Sequence, residues 1–244
     1  MRRFIPRLLS LMDFVPPLLG GLLVRRYKRF LADIIDASGR PFTIHCPNPG
    51  AMSGCADSGS RVWYSQSTNA NRKYACTLEI VETSRGELVG VNPSRANAIV
   101  GEALETQRIS GFDGMIVHRE ARIPGEDGRF DFRLDRDDAR CYLEVKSVTL
   151  SRGEGLGAFP DAKSDRARRH VESLQRMRDA GHRAVLFLCA QHNGIERVTT
   201  AGDIDPAYAD AVRRAQRFGV EVIAYRTRVS REGLTLTDRI EVCL

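Results

Sequence analysis

A change in the spacing of apolar residues near Pro93 constrains the fold of this 244-residue chain more than any other feature. Before Pro93, short segments rich in β-branched and aromatic residues are separated by turns that contain glycine, a pattern typical of strands. After Pro93, segments with helical apolar spacing alternate with short apolar runs, which indicates helices between strands. We therefore expect an all-β part followed by an α/β part.

The first part, residues 12–92, contains five predicted strands. They are LLVRRYKRFLADIID, PFTIHC, RVWYSQ, KYACTLEIVET and ELVGVN. Short strands at this spacing favour a small barrel such as an OB-fold. The loop HCPNPGAM follows the second strand, and because no further His or Cys stands at metal-ligand spacing, we interpret it as a loop that shapes the backbone.

The second part, residues 93–244, has the order helix, three strands, helix, strand, helix, strand. The helices are predicted at about residues 95–109, 163–180 and 205–219. The segments RFDFRL and CYLEVKSV are separated by the short link RDDA, which predicts a hairpin, and RAVLFLCAQ is a continuous buried strand. The fold class is therefore mixed α/β, with a barrel followed by a domain built on a mixed sheet.

The charge of the chain favours a polyanionic partner, because 37 Lys and Arg outnumber 31 Asp and Glu to give a net charge of +6. The six cysteines show no CxxC spacing, so buried thiols in a reducing cytoplasm are expected rather than disulfides or a zinc site. The longest apolar stretches are interrupted by Pro, Gly or Arg, which predicts no transmembrane helix and no membrane partner.

The N-terminal segment resembles a secretory signal peptide only superficially. Pro6 and Arg7 break its apolar run, and no small-residue cleavage site follows. We expect residues 1–11 to form a loose extension and the folded protein to start near Met12.

Two acids and a lysine come together on the predicted hairpin. Glu144 and Lys146 stand two residues apart in CYLEVKSV, so their side chains emerge on the same face of the strand. The hairpin brings Asp131 of RFDFRL towards Glu144. Neighbouring carboxylates repel unless a cation lies between them, and Mg²⁺ or Mn²⁺ suits two acids, water and a phosphate oxygen. Lys146 would then orient or help to deprotonate the attacking water.

The alternative is a surface ion pair between Glu144 and Lys146, which would contribute little. Two observations favour the functional interpretation. Asp131 gives Glu144 a second carboxylate to converge with, and lysine is rare in this chain. Only four of the 37 basic residues are lysines, and Lys146 is one of them. Unlike arginine, lysine has a pKa that its surroundings readily shift.

The succession of Asp131 and then Glu144-Val145-Lys146 resembles the PD-(D/E)XK nuclease pattern. Over about residues 18–226 the chain resembles the sugar fermentation stimulation protein family. The stretches that carry this resemblance are RRYKRFLADI, HCPNPGAM, GSRVWYSQSTNANRKYACTLE, GVNPSRAN, GRFDF, LEVKSVTL, FPDAKSDRARRH and DPAYADAVRRAQRFGVEVIAY. The resemblance implies an OB-like DNA-binding domain joined to a nuclease-like domain, in a cytoplasmic bacterial protein linked to sugar metabolism.

The resemblance also implies roles for individual residues. Asp131 and Glu144 would be metal ligands and Lys146 the catalytic lysine. Glu102 falls where related nucleases place a helical acid that supports the metal, although a solvent-facing helix residue is the alternative.

Basic residues with neighbouring aromatic rings mark the expected nucleic-acid contacts, because cations neutralise phosphates and rings stack on bases. The candidates are Arg25, Arg26, Tyr27, Lys28 and Arg29 in RRYKRF, Arg72 and Lys73 in NRKY, and Arg166 and His170 in the helix after EVK. The alternatives are barrel core for the aromatic residues and an exposed basic face for the helix.

These features predict a DNA-binding protein with a Mg²⁺-dependent phosphodiesterase site, in which Arg166 balances charge in the transition state. DNA, single- or double-stranded, is the expected partner, and a homodimer is a candidate assembly. A non-catalytic DNA-binding regulator of sugar-metabolism genes is the main alternative. RNA processing is a third, because OB-like barrels accept either nucleic acid.

Overall fold

The computed structural model describes residues 10–244 and, from Met12 onward, their side chains. After β1 (Ser10–Asp13), which belongs to the second sheet, five strands form the barrel. They are β2 (Leu19–Tyr27), β3 (Leu31–Asp36), β4 (Pro41–His45), β5 (Arg61–Gln66) and β6 (Cys76–Glu82). Their order is β4-β3-β2-β5-β6, and a parallel pairing between β4 and β6 closes the barrel. The predicted OB-like barrel is confirmed.

One predicted barrel strand is in fact a hairpin. LLVRRYKRFLADIID divides into β2 and β3, which pair antiparallel from Gly21–Asp36 to Tyr27–Leu31. The turn between them places Lys28 and Arg29 at φ values of 48° and 63°. Residues other than Gly, Asn and Asp seldom adopt this left-handed conformation, so the sequence carried no turn signal here.

The second part follows β7 (Leu88–Gly90), which pairs with β6. Its elements are α1 (Pro93–Glu105), β8 (Ile116–Arg122), β9 (Arg129–Arg136), β10 (Ala139–Val148), β11 (Leu150–Ser151), β12 (Leu156–Phe159), α2 (Asp165–Asp179), β13 (Arg183–Ala190), β14 (Arg197–Thr200), α3 (Pro206–Arg217), β15 (Glu221–Val229) and β16 (Gly233–Cys243). Strands β8, β9 and β10 form an antiparallel meander, β13 and β15 continue it in parallel, and β16 returns antiparallel. The mixed sheet is confirmed.

The helices cover the two faces of this sheet. α1 packs Ile99 and Ala103 into one buried cluster, which includes Leu143 of β10. α2 and α3 pack into the other, which includes Tyr142 and Val148 of β10. Because side chains alternate along a strand, the even-numbered residues of β10 lie on the face that α2 and α3 cover. Glu144 and Lys146 therefore lie beneath α2.

The sequence interpretation missed several strands of this sheet. β16 is the largest omission, since the last predicted strand ended at about residue 230; it pairs with β15, β14 and β1. The segment interpreted as a glycine-rich loop contains the short hairpin of β11 and β12. Ser10 and Leu11 pair with β16, so the expected extension over residues 1–11 is wrong for these two residues. Residues 1–9 lie outside the described part, and β1 does not join the barrel.

The six cysteines are all free and four of them are buried, as predicted. In the part of the chain that the structure describes, no helix is both long enough and apolar enough to cross a membrane.

Candidate active site

The hairpin of β9 and β10 brings the acids together. The two strands are in register with Leu143 opposite Phe132, which places Glu144 opposite Asp131. The short connection after Arg136 includes Asp137 at φ 51°, a conformation that Asp tolerates better than most residues. The predicted convergence of Asp131 and Glu144 on one face of the sheet is therefore present.

Glu144 is a buried carboxylate in which one oxygen accepts two hydrogen bonds and the other accepts none. Only 3% of the residue is exposed. Its Oε1 accepts hydrogen bonds from Lys146 Nζ and from His170 Nδ1 of α2, whereas Oε2 is buried and has no partner among the described residues. Burial acts to raise the pKa of Glu144, but the charge of Lys146 and the contacts of His170 outweigh it, so the pKa lies below its ordinary value.

Asp131 has a different electrostatic environment. Its Oδ1 accepts a hydrogen bond from Asn97 Nδ2 at 2.6 Å, and its Oδ2 accepts one from the backbone N–H of Val145 at 2.7 Å. Burial, and next the negative charge of Glu144, raise the pKa of Asp131 to about 6, against the lowering effect of Lys146 and the two hydrogen bonds. The pair thus carries more negative charge than the surrounding protein compensates.

A hard divalent cation fits this donor set. The open Oε2 of Glu144 is an orphaned buried acceptor, and buried acceptors without partners are rare unless a ligand or water serves them. Within the described residues, no group of three or more His, Cys, Asp and Glu side chains is arranged to hold a metal ion. Water and substrate oxygens would therefore have to complete the coordination sphere, as Mg²⁺ commonly allows.

The acid pair lines a cavity of about 350 Å³ to which both parts of the chain contribute. From the barrel come Arg29, Asn48, Pro49 and Gly50; from α1 comes Asn97; Lys163 comes from the segment before α2, and Arg166 from its first turn. Arg166 thus lies where the sequence interpretation placed it, close to the acids and Lys146.

Two predicted site residues are placed differently. Glu102 does not line the cavity, and the residue of α1 that reaches Asp131 is Asn97. His170 was expected to contact nucleic acid, but its side chain is only 12% exposed and its ring binds Glu144. The interval of five residues between Asn97 and Glu102 puts them on different sides of the helix, which explains the first difference.

The basic residues of RRYKRF divide into three groups. Arg26 donates from Nη2 to the carbonyl oxygens of three residues in two loops, so it holds backbone and is not available for a phosphate. Arg25 pairs with Asp33, to which Tyr27 also donates a hydrogen bond. Lys28 and Arg29 are exposed on the turn.

Arg72 and Lys73 lie together on the exposed connection between β5 and β6. Arg72 donates a hydrogen bond to Thr77 Oγ1, and Lys73 lies 5.6 Å from the ring centre of Tyr74. Neither residue lines the cavity that holds the acids. Their contact with nucleic acid stays a prediction.

Sequence reasoning missed Asn97 and Asp161. Asp161 precedes α2, and its Oδ2 accepts a hydrogen bond at 2.9 Å from the backbone N–H of Met52 in the barrel. Both contacts join residues distant in sequence, so no local motif could reveal them. The only available signal was the position of each residue within a stretch, GVNPSRAN or FPDAKSDRARRH, that carries the family resemblance.

The fold and the site together define a two-domain α/β protein, in which an OB-like barrel joins a mixed-sheet domain with an acid pair and a lysine on adjacent strands. The family model for the "SfsA N-terminal OB domain" matches residues 24–91. That for the "Sugar fermentation stimulation protein RE domain" matches residues 94–233. The chain belongs to the sugar fermentation stimulation protein family.

Relatives and a solved structure agree with this assignment. The "Sugar fermentation stimulation protein homolog" of Teredinibacter turnerae is 45% identical over 96% of this chain and all of its own length. The homolog of Saccharophagus degradans is 46% identical over 95% of this chain and all of its own length. The structure of Pyrococcus furiosus SfsA in complex with Ca²⁺ has a TM-score of 0.86 at 21% identity, covering 96% of this chain and 99% of that one. At this identity the likeness shows the fold.

Proposed function

We propose that the protein is a DNA-binding phosphodiesterase that uses Mg²⁺ or Mn²⁺ at Asp131 and Glu144. The observation that carries the proposal is the open buried Oε2 of Glu144, opposite Asp131 and beside Lys146. The Pyrococcus furiosus relative was solved with Ca²⁺, which prefers the same oxygen ligands as Mg²⁺, and this supports an ion-binding site in this fold.

The chain's own residues have distinct roles in this proposal. Asp131 and Glu144 would hold the ion, which, when bound, would supply positive charge to stabilise a phosphate oxygen and lower the pKa of a water molecule. Lys146 lies within hydrogen-bond distance of Glu144 and would orient the attacking water towards phosphorus. Arg166 lines the same cavity and would balance negative charge as the P–O bond breaks.

Cleavage of single-stranded and plasmid DNA with Mg²⁺ or Mn²⁺ tests the proposal. The parent protein is compared with Lys146→Ala and Asp131→Ala, with Arg140→Ala as the control because Arg140 is exposed at the far end of β10. We expect the two site variants to lose about 100-fold or more in rate and the control to retain its activity. Equal activity in all four proteins would show that the mechanism is wrong.

A non-catalytic DNA-binding regulator is the second candidate. It is favoured by the ion pair of Lys146 with Glu144, which partly neutralises the site without a metal, and by the small number of acidic donors. Calorimetric titration with Mg²⁺ or Mn²⁺ separates the two. Heat of binding that disappears in Asp131→Ala supports the phosphodiesterase, whereas no binding at millimolar concentrations supports the regulator.

A further inference from the structure

We infer that the barrel forms one wall of the cleft that holds the substrate, and that the cleft takes a single nucleic-acid strand in preference to a duplex. The inference rests on the proposed function, since it names the substrate class of the same site. It rests on two observations. Loop 48–52 of the barrel is bonded to the second domain beside the acid pair, and cations without ion-pair partners line the cavity from both domains.

The first wall is the loop 48–52 of the barrel, and Arg26 fixes its shape. Nη2 of Arg26 donates to the carbonyl oxygens of Asn48 at 2.8 Å and Gly50 at 2.7 Å, and to that of Arg29 at 2.8 Å. Asn48 is buried and its side chain accepts the N–H of Gly50 at 2.8 Å. The loop and the β2–β3 turn are therefore held as one rigid unit beside the cavity.

The second wall is the segment that leads into α2, and Asp161 ties it to the first. Besides accepting the Met52 N–H, the Asp161 carboxylate packs closely against Gly50. A Cβ atom on Gly50 would lie 2.1 Å from Asp161 Oδ1, so only glycine leaves room for this contact. The cleft cannot widen at this point without loss of a hydrogen bond between the two domains.

Cations from both walls reach the cavity without partners of opposite charge. The cavity is lined by Arg29 from the barrel, by Lys163 from the segment before α2, and by Arg166 from the first turn of α2. Among the described residues, none of the three takes part in an ion pair, and the one bond of the Arg29 guanidinium goes to the carbonyl of Pro49. Unpaired cations that flank an acid pair suit phosphates on either side of the one at the metal.

The dimensions and the lining favour a single strand. A cavity of about 350 Å³ lies at the small end for ligand pockets, and it is bounded by protein from both domains. Pro49, Phe159 and Pro160 supply apolar surface along it. Phe30, next to Arg29, is 46% exposed, and exposed rings beside cations are the usual platform for unpaired bases.

Binding measured without metal tests the inference independently of cleavage. Fluorescence anisotropy in EDTA would compare a 20-nucleotide DNA single strand with a blunt hairpin duplex of the same sequence. We expect the single strand to bind at least 10-fold more tightly. Equal affinities, or tighter binding of the duplex, would overturn the single-strand assignment even if the protein cleaves DNA. Conversely, tighter binding of the single strand by a protein that does not cleave DNA would reject the proposed function and still support the single-strand cleft.

Matched variants test the contribution of the barrel. Arg29→Ala and Lys163→Ala remove one cation from each wall, and Arg61→Ala removes an exposed barrel arginine outside the cavity. We expect each wall variant to weaken single-strand binding about 10-fold and to make its salt dependence shallower by about 0.7 in log–log slope. If Arg29→Ala behaves like Arg61→Ala, the barrel wall is not part of the cleft.

Measuring the binding of an RNA strand of the same sequence shows whether the cleft takes DNA, RNA or both. Tight binding of DNA, with or without RNA, agrees with the inference and with the proposed substrate. Tight binding of RNA alone would support the single-strand cleft and reject DNA as its substrate. Binding of neither strand overturns the cleft.

Discussion

Two buried glutamates of this protein, Glu79 and Glu144, differ in how their oxygens are satisfied. Glu79 of β6 is 2% exposed, and both of its oxygens accept bonds from Arg95 of α1 at 2.7 Å and 3.0 Å. Ser65 and Asn92 add one further bond to each oxygen. Glu144 is equally buried, yet its two donors, Lys146 and His170, share Oε1 and leave Oε2 without a partner.

The difference separates a carboxylate whose hydrogen-bonding capacity is fully used from one with capacity left. Glu79 joins the barrel to the first helix of the second domain through a two-point arginine contact, and nothing remains for another molecule to bind. Glu144 lines the cavity, and its Oε2 has no partner among the described residues. Burial and charge alone therefore do not distinguish the two glutamates; what distinguishes Glu144 is an oxygen without a partner in a residue that lines the cavity.

The largest expected effect is the loss of stability on removing Glu79. In Glu79→Ala the Arg95 charge remains, mostly buried, together with two polar side chains that lose their acceptor. We expect the free energy of unfolding to fall by about 3 kcal/mol. Glu144→Gln should change it by less than about 1 kcal/mol, because one oxygen has no bond to lose and Lys146 still has Asp131 nearby. Urea denaturation of both variants measures the contrast.

Glu221→Gln is the control for this pair of variants. Glu221 also accepts two bonds from an arginine, Arg183, but its side chain is 43% exposed. We expect a loss below about 1 kcal/mol, as for other exposed ion pairs. Equal losses for Glu79→Ala and Glu144→Gln would contradict the distinction between the two buried acids.

The next effect concerns Asp131 and its dependence on pH. The folded-state pKa of about 6 exceeds the ordinary value of 3.8, so the folded protein retains a proton that the unfolded chain releases. The contribution of Asp131 to the free energy of unfolding is therefore fully present below about pH 4 and is lost as the pH rises to about 6, by about 3 kcal/mol in total. Asp131→Asn should remove this fall, so in EDTA the free energy of unfolding of the variant rises relative to that of the parent as the pH increases.

Denaturation curves from pH 4 to pH 8 check this prediction. The difference between variant and parent should grow up to about pH 6.5 and then stay constant. Adding Mn²⁺ at pH 7.5 should stabilise the parent and leave Asp131→Asn unchanged, because the variant lacks one of the two charged ligands. A constant difference across the whole pH range would show that burial and the charge of Glu144 do not raise the pKa of Asp131.

The position of Glu144 beside a second acid could be predicted from the sequence. The alternation in RFDFRL and CYLEVKSV, with a short link between them, predicted the hairpin that sets Asp131 against Glu144. Local periodicity was sufficient because strand register fixes which side chains are opposite. The barrel, the three helices and the strands β8, β9, β10, β13 and β15 followed from the same kind of signal, whereas the short strands β11, β12 and β14 did not.

The rest depends on contacts between distant segments. Nothing local distinguishes Glu79 in KYACTLEIVET from Glu144, because the arginine that saturates Glu79 lies sixteen residues further on, in another domain. Asn97 and Asp161 act through partners far away in sequence. The β2–β3 turn was missed because Lys28 and Arg29 adopt a backbone conformation that their residue types do not signal.

A smaller effect is expected at the link between loop 48–52 and Asp161. Gly50→Ala would displace the Asp161 carboxylate, and Asp161→Ala would remove it; each should lower the free energy of unfolding by about 1–2 kcal/mol. Because both changes break the same hydrogen bond to Met52, the double variant should lose less than the sum. Thermal or urea denaturation of the parent, the two single variants and the double variant completes this double-mutant cycle. Strict additivity would mean that the two residues do not act on one link.

The smallest expected change in stability is at His170, whose effect should instead appear in ion binding. His170 donates to the Oε1 of Glu144, which also binds Lys146, and thereby fixes the orientation of the carboxylate and of its unpartnered Oε2. His170→Ala should cost less than about 1 kcal/mol of stability, because Lys146 remains, but weaken Mn²⁺ binding about 10-fold. His170→Asn places an amide N–H near the position of Nδ1 and should recover most of that affinity. Equal calorimetric affinities for the Ala and Asn variants would contradict a positioning role, since a ring that only fills space cannot be replaced by the smaller amide.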